Sequence, residues 1–159
     1  MGIEIERKFL LKNENWKPLV TETHRIKQGY LQSGLDDSQK SSVRIRISNE
    51  QANINIKSVD LTMIRQEFEY EIPLPDAQQM LATLCDGDVI EKTRYCVPFA
   101  SHLWEIDIFE GQNSGLQMAE VELASLDETV EIPEWIANEV SEDRRYYNIS
   151  LLKHPYKMW

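Results

Sequence analysis

The chain has 159 residues, 42% of them apolar and 28% charged, and a formal net charge of −10. That length suits one domain with a real core, and the composition is that of an ordinary globular protein. The acidic balance argues against long nucleic acid as the main partner but leaves a small polyanion open, because bound divalent cations reverse the sign of a site.

In chain order, Met1 leads at once into Glu4-Ile5-Glu6-Arg7-Lys8, unlike a signal peptide, and no apolar stretch approaches the ~20 residues of a membrane span. A cytoplasmic, membrane-free protein with one domain over residues 1–159 is expected. Period-2 alternation predicts strands over Ile3–Leu11, His24–Gln32, Ser42–Ser48, Ala52–Ser58 and Ile64–Ile72, with a polar loop over 33–42. A helix over Asp76–Leu84 follows Pro73 and Pro75, with Met80, Leu81 and Leu84 on one side, and stops near Gly87. Strands follow over Val89–Val97, Leu103–Glu110 and Leu116–Ala124, then a short helical turn around Pro133–Val140. A final helix begins after Ser141, with Glu142 and Asp143 where the helix dipole favours acids, and buries some of Tyr146, Ile149, Leu151 and Leu152. Cys85 and Cys96 lack metal-ligand spacing and read as ordinary thiols. Eight strands with short connections predict a mainly β (α+β) fold: an eight-stranded closed antiparallel β-tunnel with a few peripheral helices and a C-terminal helix.

The chemistry lies in the alternation, since successive side chains of a strand point to opposite faces. One face carries Glu4, Glu6 and Lys8; Arg44 and Arg46; Asn53, Asn55 and Lys57; Arg65, Glu67, Glu69 and Glu71; Lys92 and Arg94; Glu105 and Asp107; Glu120 and Glu122. The opposite face is mostly apolar. A half-solvated sheet would also alternate, but its wet face would mix in Thr, Ser and Gln, and its charges would not be sorted by sign. Turned inward, such a face demands water, ions and an anionic ligand, because unpaired buried charges cost several kcal/mol each, as a rough scale. The pairs Glu4/Glu6 and Glu120/Glu122 place two carboxylates on one face about 7 Å apart, from the ~3.4 Å rise per residue. Carboxylates with water suit Mg2+ or Mn2+, while Arg and Lys clamp phosphate oxygens.

Glu4-Ile5-Glu6-Arg7-Lys8-Phe9 resembles the N-terminal Glu-x-Glu-x-Lys signature of the CYTH domain, the triphosphate tunnel metalloenzyme superfamily. Val43-Arg44-Ile45-Arg46, Ile56-Lys57, Arg65-Gln66-Glu67-Phe68-Glu69, Glu91-Lys92-Thr93-Arg94-Tyr95, Glu105-x-Asp107 and Glu120-Val121-Glu122 follow in family order. The resemblance spans residues 3 to about 150 and is similar to short bacterial members. It implies a Mg2+- or Mn2+-dependent triphosphatase. Metal would be held by Glu4, Glu6, Asp107, Glu120 and Glu122, and triphosphate by Lys8, Arg44, Arg46, Lys57, Lys92 and Arg94. Lys8, Lys57, Glu67 and Glu69 would be catalytic. Arg25, Lys27, Arg65, Arg145 and Tyr146 are left open as substrate contacts.

The expected reaction is metal-assisted hydrolysis of a terminal phosphoanhydride, most simply of inorganic tripolyphosphate. No Ser-His-Asp or Cys-His arrangement is evident, and His24, His102 and His154 fall outside the charged rows. The alternatives are an adenylate cyclase acting on ATP, and a thiamine triphosphatase with Trp104 or Trp135 stacked on the thiamine rings unless both belong to the core. A non-catalytic polyphosphate- or nucleotide-binding module is the rival of another class. A homodimer is compatible with the sequence; a closed barrel would not need strand addition to form one.

Overall fold

The computed structural model describes residues 2–34, 36–59 and 64–159. It contains β1 (Gly2–Leu11), β2 (Glu22–Gln32), β3 (Ser41–Ser48), β4 (Gln51–Ser58), β5 (Ile64–Ile72), α1 (Leu74–Thr83), β6 (Asp86–Phe99), β7 (His102–Phe109), β8 (Gln117–Glu122), β9 (Ile136–Glu139) and α2 (Asn148–Lys153). The eight expected strands are present, with ends displaced by up to a few residues; Leu35 of the expected loop lies outside the described residues. Hydrogen-bonded neighbours run β5-β4-β3-β2-β6-β7-β8-β1, and β1 pairs again with β5. Every pairing is antiparallel, so the sheet closes into a barrel. In that ring β3 and β8 are four steps apart in either direction, which sets them on opposite walls.

A ninth strand corrects the helical turn expected around Pro133–Val140. Among the described residues β5 pairs with β1 through Gly2–Ile5, and the far half of that β1 edge needs another partner for its backbone groups. β9 takes this edge, pairing Glu139 with Phe9 and Ile136 with Leu11. Lys12 N–H donates to the Trp135 carbonyl at 2.9 Å and Val140 N–H to the Lys8 carbonyl at 2.8 Å. The unmet hydrogen bonds of β1 outweigh the weak local preference for a turn.

The C-terminal helix is also shorter than expected. Asp143 caps a single 3-10 turn over Arg144–Tyr146 by accepting from the Arg145 N–H. Tyr147 is extended, at φ −74 and ψ 134, and α2 starts after it. The Tyr147 hydroxyl donates to the Ser141 carbonyl at 2.9 Å, and its ring lies 5.9 Å from both Lys8 Nζ and the Arg65 guanidinium carbon. Those contacts hold the chain straight where a continuous helix would swing the tyrosine away.

The outward apolar rows form the core. Ile5, Phe9, Trp104, Ile106, Ala119 and Val121 pack with Trp16, Leu123, Val130 and Trp135 from flanking segments. On another side α1 lays Ala77 and Leu81 against Ile45 and Ala52; Leu84, expected to join them, is exposed. β2 carries Gly29 where α1 ends because a Cβ there would come within 3.0 Å of Cys85 Sγ and 3.1 Å of Leu81 Cδ2. Among the described residues no helix is long and apolar enough to cross a membrane.

Candidate active site

With the apolar rows outside, the ionic rows line a cavity of about 610 Å3. Glu4, Glu6 and Lys8 reach it from β1, Arg44 and Arg46 from β3, Lys57 from β4, and Glu67 and Glu69 from β5. Arg94 enters from β6, and Glu120 and Glu122 from β8. The structure thus brings together eleven of the thirteen predicted site residues. Lys92 and Asp107 are placed apart, fully buried behind the lining.

Two ion-pair groups order the walls. In one, Lys57 Nζ donates to both carboxylate oxygens of Glu4, at 2.8 and 2.7 Å. Arg65 lies 3.7 Å from Glu4, and Glu67 3.7 Å from Lys57. The Asn55 amide donates to Glu67 and, at 2.9 Å, to Glu69. Burial, then Arg44, outweighs the neighbouring carboxylates at Lys57, so its ammonium is held below the ordinary lysine range.

In the other group, Lys8 bridges Glu6 at 2.6 Å and Glu120 at 2.7 Å. Arg94 donates to the second Glu120 oxygen at 2.9 Å, to Asp107 at 2.7 and 2.8 Å, and to Glu105. Lys92 donates to the same Asp107. Burial opposes ionisation at Glu120 and Asp107, but Lys8 and Arg94 at the first, and Arg94 and Lys92 at the second, hold both below the usual carboxylate range. For Lys92 burial dominates and lowers it to about 8 despite Asp107. Glu120, expected at a metal, has both oxygens engaged by cations. Asp107 serves as the anchor that aims Arg94 into the cavity.

What remains is unmatched charge on facing walls. Among the described residues Arg44 and Arg46 have no carboxylate partner: Arg44 Nε is buried without a hydrogen bond, and Arg46 Nε donates only to the Gln28 side-chain oxygen at 3.0 Å. Burial, with Arg44 and Arg94 beside it, pulls Arg46 down to about 10. On the opposite wall, Glu122 is raised by burial and then by Glu4, Glu6 and Glu67. A folded chain tolerates such groups when a ligand of complementary charge settles between them. An anion fits the arginine wall and a cation the glutamate wall.

The acid wall suits a hard divalent ion. Among the described residues its carboxylates do not gather into a group of three within 4.8 Å of one another, so the chain supplies no closed cage. Mg2+ needs none: it keeps several waters and takes one or two carboxylates plus phosphate oxygens. Glu122, repelled by its acidic neighbours, is the carboxylate such an ion would relieve most.

Sequence reasoning missed Tyr30 and Tyr147, which also line the cavity. Tyr30 ends a strand with weak alternation, and Tyr147 lies in a segment read as helix. Asn55 stood in the polar row of β4 without a role; its amide ties Glu67 to Glu69. Arg65 lines the cavity, whereas Arg25 pairs outside with Glu110 and Lys27 lies 4.0 Å from Glu91. Arg145 pairs with Asp143, and Tyr146 packs edge-on against Trp159. Trp104 and Trp135 are buried against each other, ring centres 5.6 Å apart, in the outer core. Neither can stack on a substrate in the tunnel.

A closed antiparallel barrel with a cationic wall facing an acidic one inside it defines a polyanion- and cation-binding tunnel protein. Residues 2–155 match the CYTH domain model, and the chain belongs to that family. It is 41% identical over 157 residues to an inorganic triphosphatase of Acetivibrio thermocellus, covering 99% of this chain and 97% of the relative. It is 35% identical over 153 residues to an inorganic triphosphatase of Nitrosomonas europaea, covering 93% and 95%. The crystal structure of an inorganic triphosphatase superposes with a TM-score of 0.65 at 31% identity, over 96% of this chain and 95% of that one. A Pyrococcus horikoshii structure shares the fold at a TM-score of 0.59 and 17% identity, over 78% and 80%.

Proposed function

We propose that this chain is a divalent-metal-dependent inorganic triphosphatase that hydrolyses a terminal phosphoanhydride of tripolyphosphate. The observation that carries the proposal is that, among the described residues, two arginines on β3 without a carboxylate partner face a Glu122 without a cation partner across the tunnel. The relatives named inorganic triphosphatase support the choice of substrate.

Arg44 and Arg46 bind the phosphate oxygens, with Arg94 and Lys8 extending the cationic surface from β6 and β1. Guanidinium forks suit phosphate oxygens, and the clamp on Arg94 by Asp107 and Glu120 holds its remaining donors in place. Glu122 and Glu6 would hold the ion, Mg2+ or Mn2+, and Glu4 would join them by releasing Lys57; when bound, it would neutralise phosphate charge that develops during transfer. Water attacks the terminal phosphorus in line, the bond to the bridging oxygen breaks, and phosphate and pyrophosphate leave. Lys57 Nζ, whose ammonium burial and Arg44 make a readier proton donor, gives a proton to the departing pyrophosphate oxygen and takes up the proton that the attacking water sheds, ending as the ammonium it began as. Glu67 and Glu69, fixed by Asn55, keep Lys57 in register, and Lys92 with Asp107 supports Arg94 from behind.

The test offers tripolyphosphate, ATP and thiamine triphosphate with Mg2+ or Mn2+ and measures released phosphate and cyclic AMP. Turnover of tripolyphosphate above the others, abolished by EDTA, is expected. Preference for ATP with cyclic AMP formation would make the chain a cyclase, preference for thiamine triphosphate would make it a thiamine triphosphatase, and tight binding without turnover would make it a binding module.

A further inference from the structure

Outside the charged rows, β2 and β6 bring a histidine, a thiol and a carboxylate together at the end of the barrel where β2 begins. Glu22 and Cys96 are direct cross-strand partners, and His24 follows Glu22 on the same face, opposite Arg94. Cys96 lies two residues beyond Arg94 on β6, and Glu105 of β7 is its partner on the other side. One donor atom from each of Glu22, His24 and Cys96 lies within 4.8 Å of the other two, and this is the group of three such donors found among the described residues. We propose that Glu22, His24 and Cys96 form a Zn2+ site at the rim of the tunnel, separate from the hard-cation wall inside it.

The geometry is close to that of a bound ion. Two ligands about 2.0–2.2 Å from a tetrahedral Zn2+ stand roughly 3.3 Å apart, and His24 Nε2 is 3.2 Å from Glu22 Oε2. His24 Nδ1 faces the Asn49 side chain at 3.4 Å, which leaves Nε2 turned toward Glu22. Cys96 is buried, with only 6% of its surface exposed, and its sulfur lies within 4.8 Å of the other two donors, against roughly 3.5 Å for two such ligands on one tetrahedral Zn2+.

The donor set selects the ion. Thiolate and imidazole suit Zn2+ and Co2+, whereas Mg2+ takes oxygen and holds its water. Three protein ligands leave a fourth position for water, as in open zinc sites. On binding, the Cys96 thiol gives its proton to solvent and its sulfur lone pair to the metal, while His24 binds as the neutral ring; no electron transfer is involved. Glu22, Glu105 and the bound thiolate offset the positive charge of Arg94 nearby.

The experiment is a Co2+ titration of the folded, reduced protein followed by absorption, in a Glu122→Gln background that weakens the tunnel's own metal wall. A thiolate-to-cobalt charge-transfer band saturating at one Co2+ per chain is expected, displaced by Zn2+ but not by excess Mg2+. Cys96→Ser should remove the band, Cys85→Ser should keep it, and His24→Gln should weaken Co2+ binding at least about tenfold, the lower end of what losing even an outer partner costs a metal site. Absence of a thiolate band in folded protein, a band that survives Cys96→Ser, or displacement by Mg2+ would each overturn the assignment. If Cys96→Ser does not fold, the His24→Gln and Cys85→Ser titrations decide the matter alone. None of these readouts depends on triphosphate turnover.

Discussion

Arg46→Gln separates what the tunnel does for function from what it costs the fold. Burial and the neighbouring arginines pull the Arg46 guanidinium down to about 10, which disfavours its charged form by about 3 kcal/mol. Arg46 lines the open cavity and is half-buried, not enclosed, so solvent screening lowers that to about 2 kcal/mol. The lost hydrogen bond to Gln28 returns about 1 kcal/mol. Because the folded pKa is depressed yet still far above 7, the residue is charged in both folded and unfolded chains at neutral pH, and the full penalty is present there. The uncharged variant should therefore gain about 1 kcal/mol without ligand, or roughly 2–4 °C in Tm for a chain of this size. Tripolyphosphate binding should fall by about 10- to 150-fold, from the ~1.5–3 kcal/mol of a charge-assisted hydrogen bond. Differential scanning fluorimetry with and without tripolyphosphate reads both effects. A variant that melts earlier and binds tripolyphosphate as before would refute the reasoning.

Glu122→Gln should lower metal-dependent turnover by at least about a hundredfold and leave the metal-free protein as stable or slightly more so, since it relieves repulsion from Glu4, Glu6 and Glu67; Mn2+ titration and thermal melts check this. Asp107→Ala leaves Lys92 and Arg94 without their shared buried partner and should cost about 3–5 kcal/mol, read as a lower urea midpoint. Glu120 and Asp107 are held below the ordinary carboxylate range, so the stability they contribute is complete above an unfolded value of about 4 and is lost as pH falls through their folded values. Acid unfolding should accordingly sharpen below about pH 4, and Glu120→Gln should flatten that limb; an unchanged acid limb would remove Glu120 from the ion-pair network.

Most of the barrel was legible because its strands are amphipathic in an unusual sense, apolar against ionic. Val43-Arg44-Ile45-Arg46 and Glu105-Ile106-Asp107 specify both a period of two and a face. The ninth strand was not legible: its existence depends on an edge of β1 that β5 leaves unpaired, a fact of register that residues 136–139 do not carry. Tyr147 was misread as helical for a related reason, since its extended backbone answers to Lys8 and Arg65, both distant in sequence, as well as to nearby Ser141. Within the site, alternation gave the side of the sheet but not the depth. Asp107 and Glu122 look alike as acids on inward rows, yet one is fully enclosed between two cations and the other faces the open cavity among like charges. The Glu22, His24 and Cys96 group joins residues more than seventy positions apart, so no local spacing announces it.

The most direct measurement is a crystal structure with tripolyphosphate and Mn2+, the ion located by its anomalous signal. Phosphate oxygens against Arg44 and Arg46, with manganese on the opposite side against Glu122, are the expected result. Phosphate bound to the exterior, or manganese absent from the acidic wall while the tunnel holds only water, would contradict it.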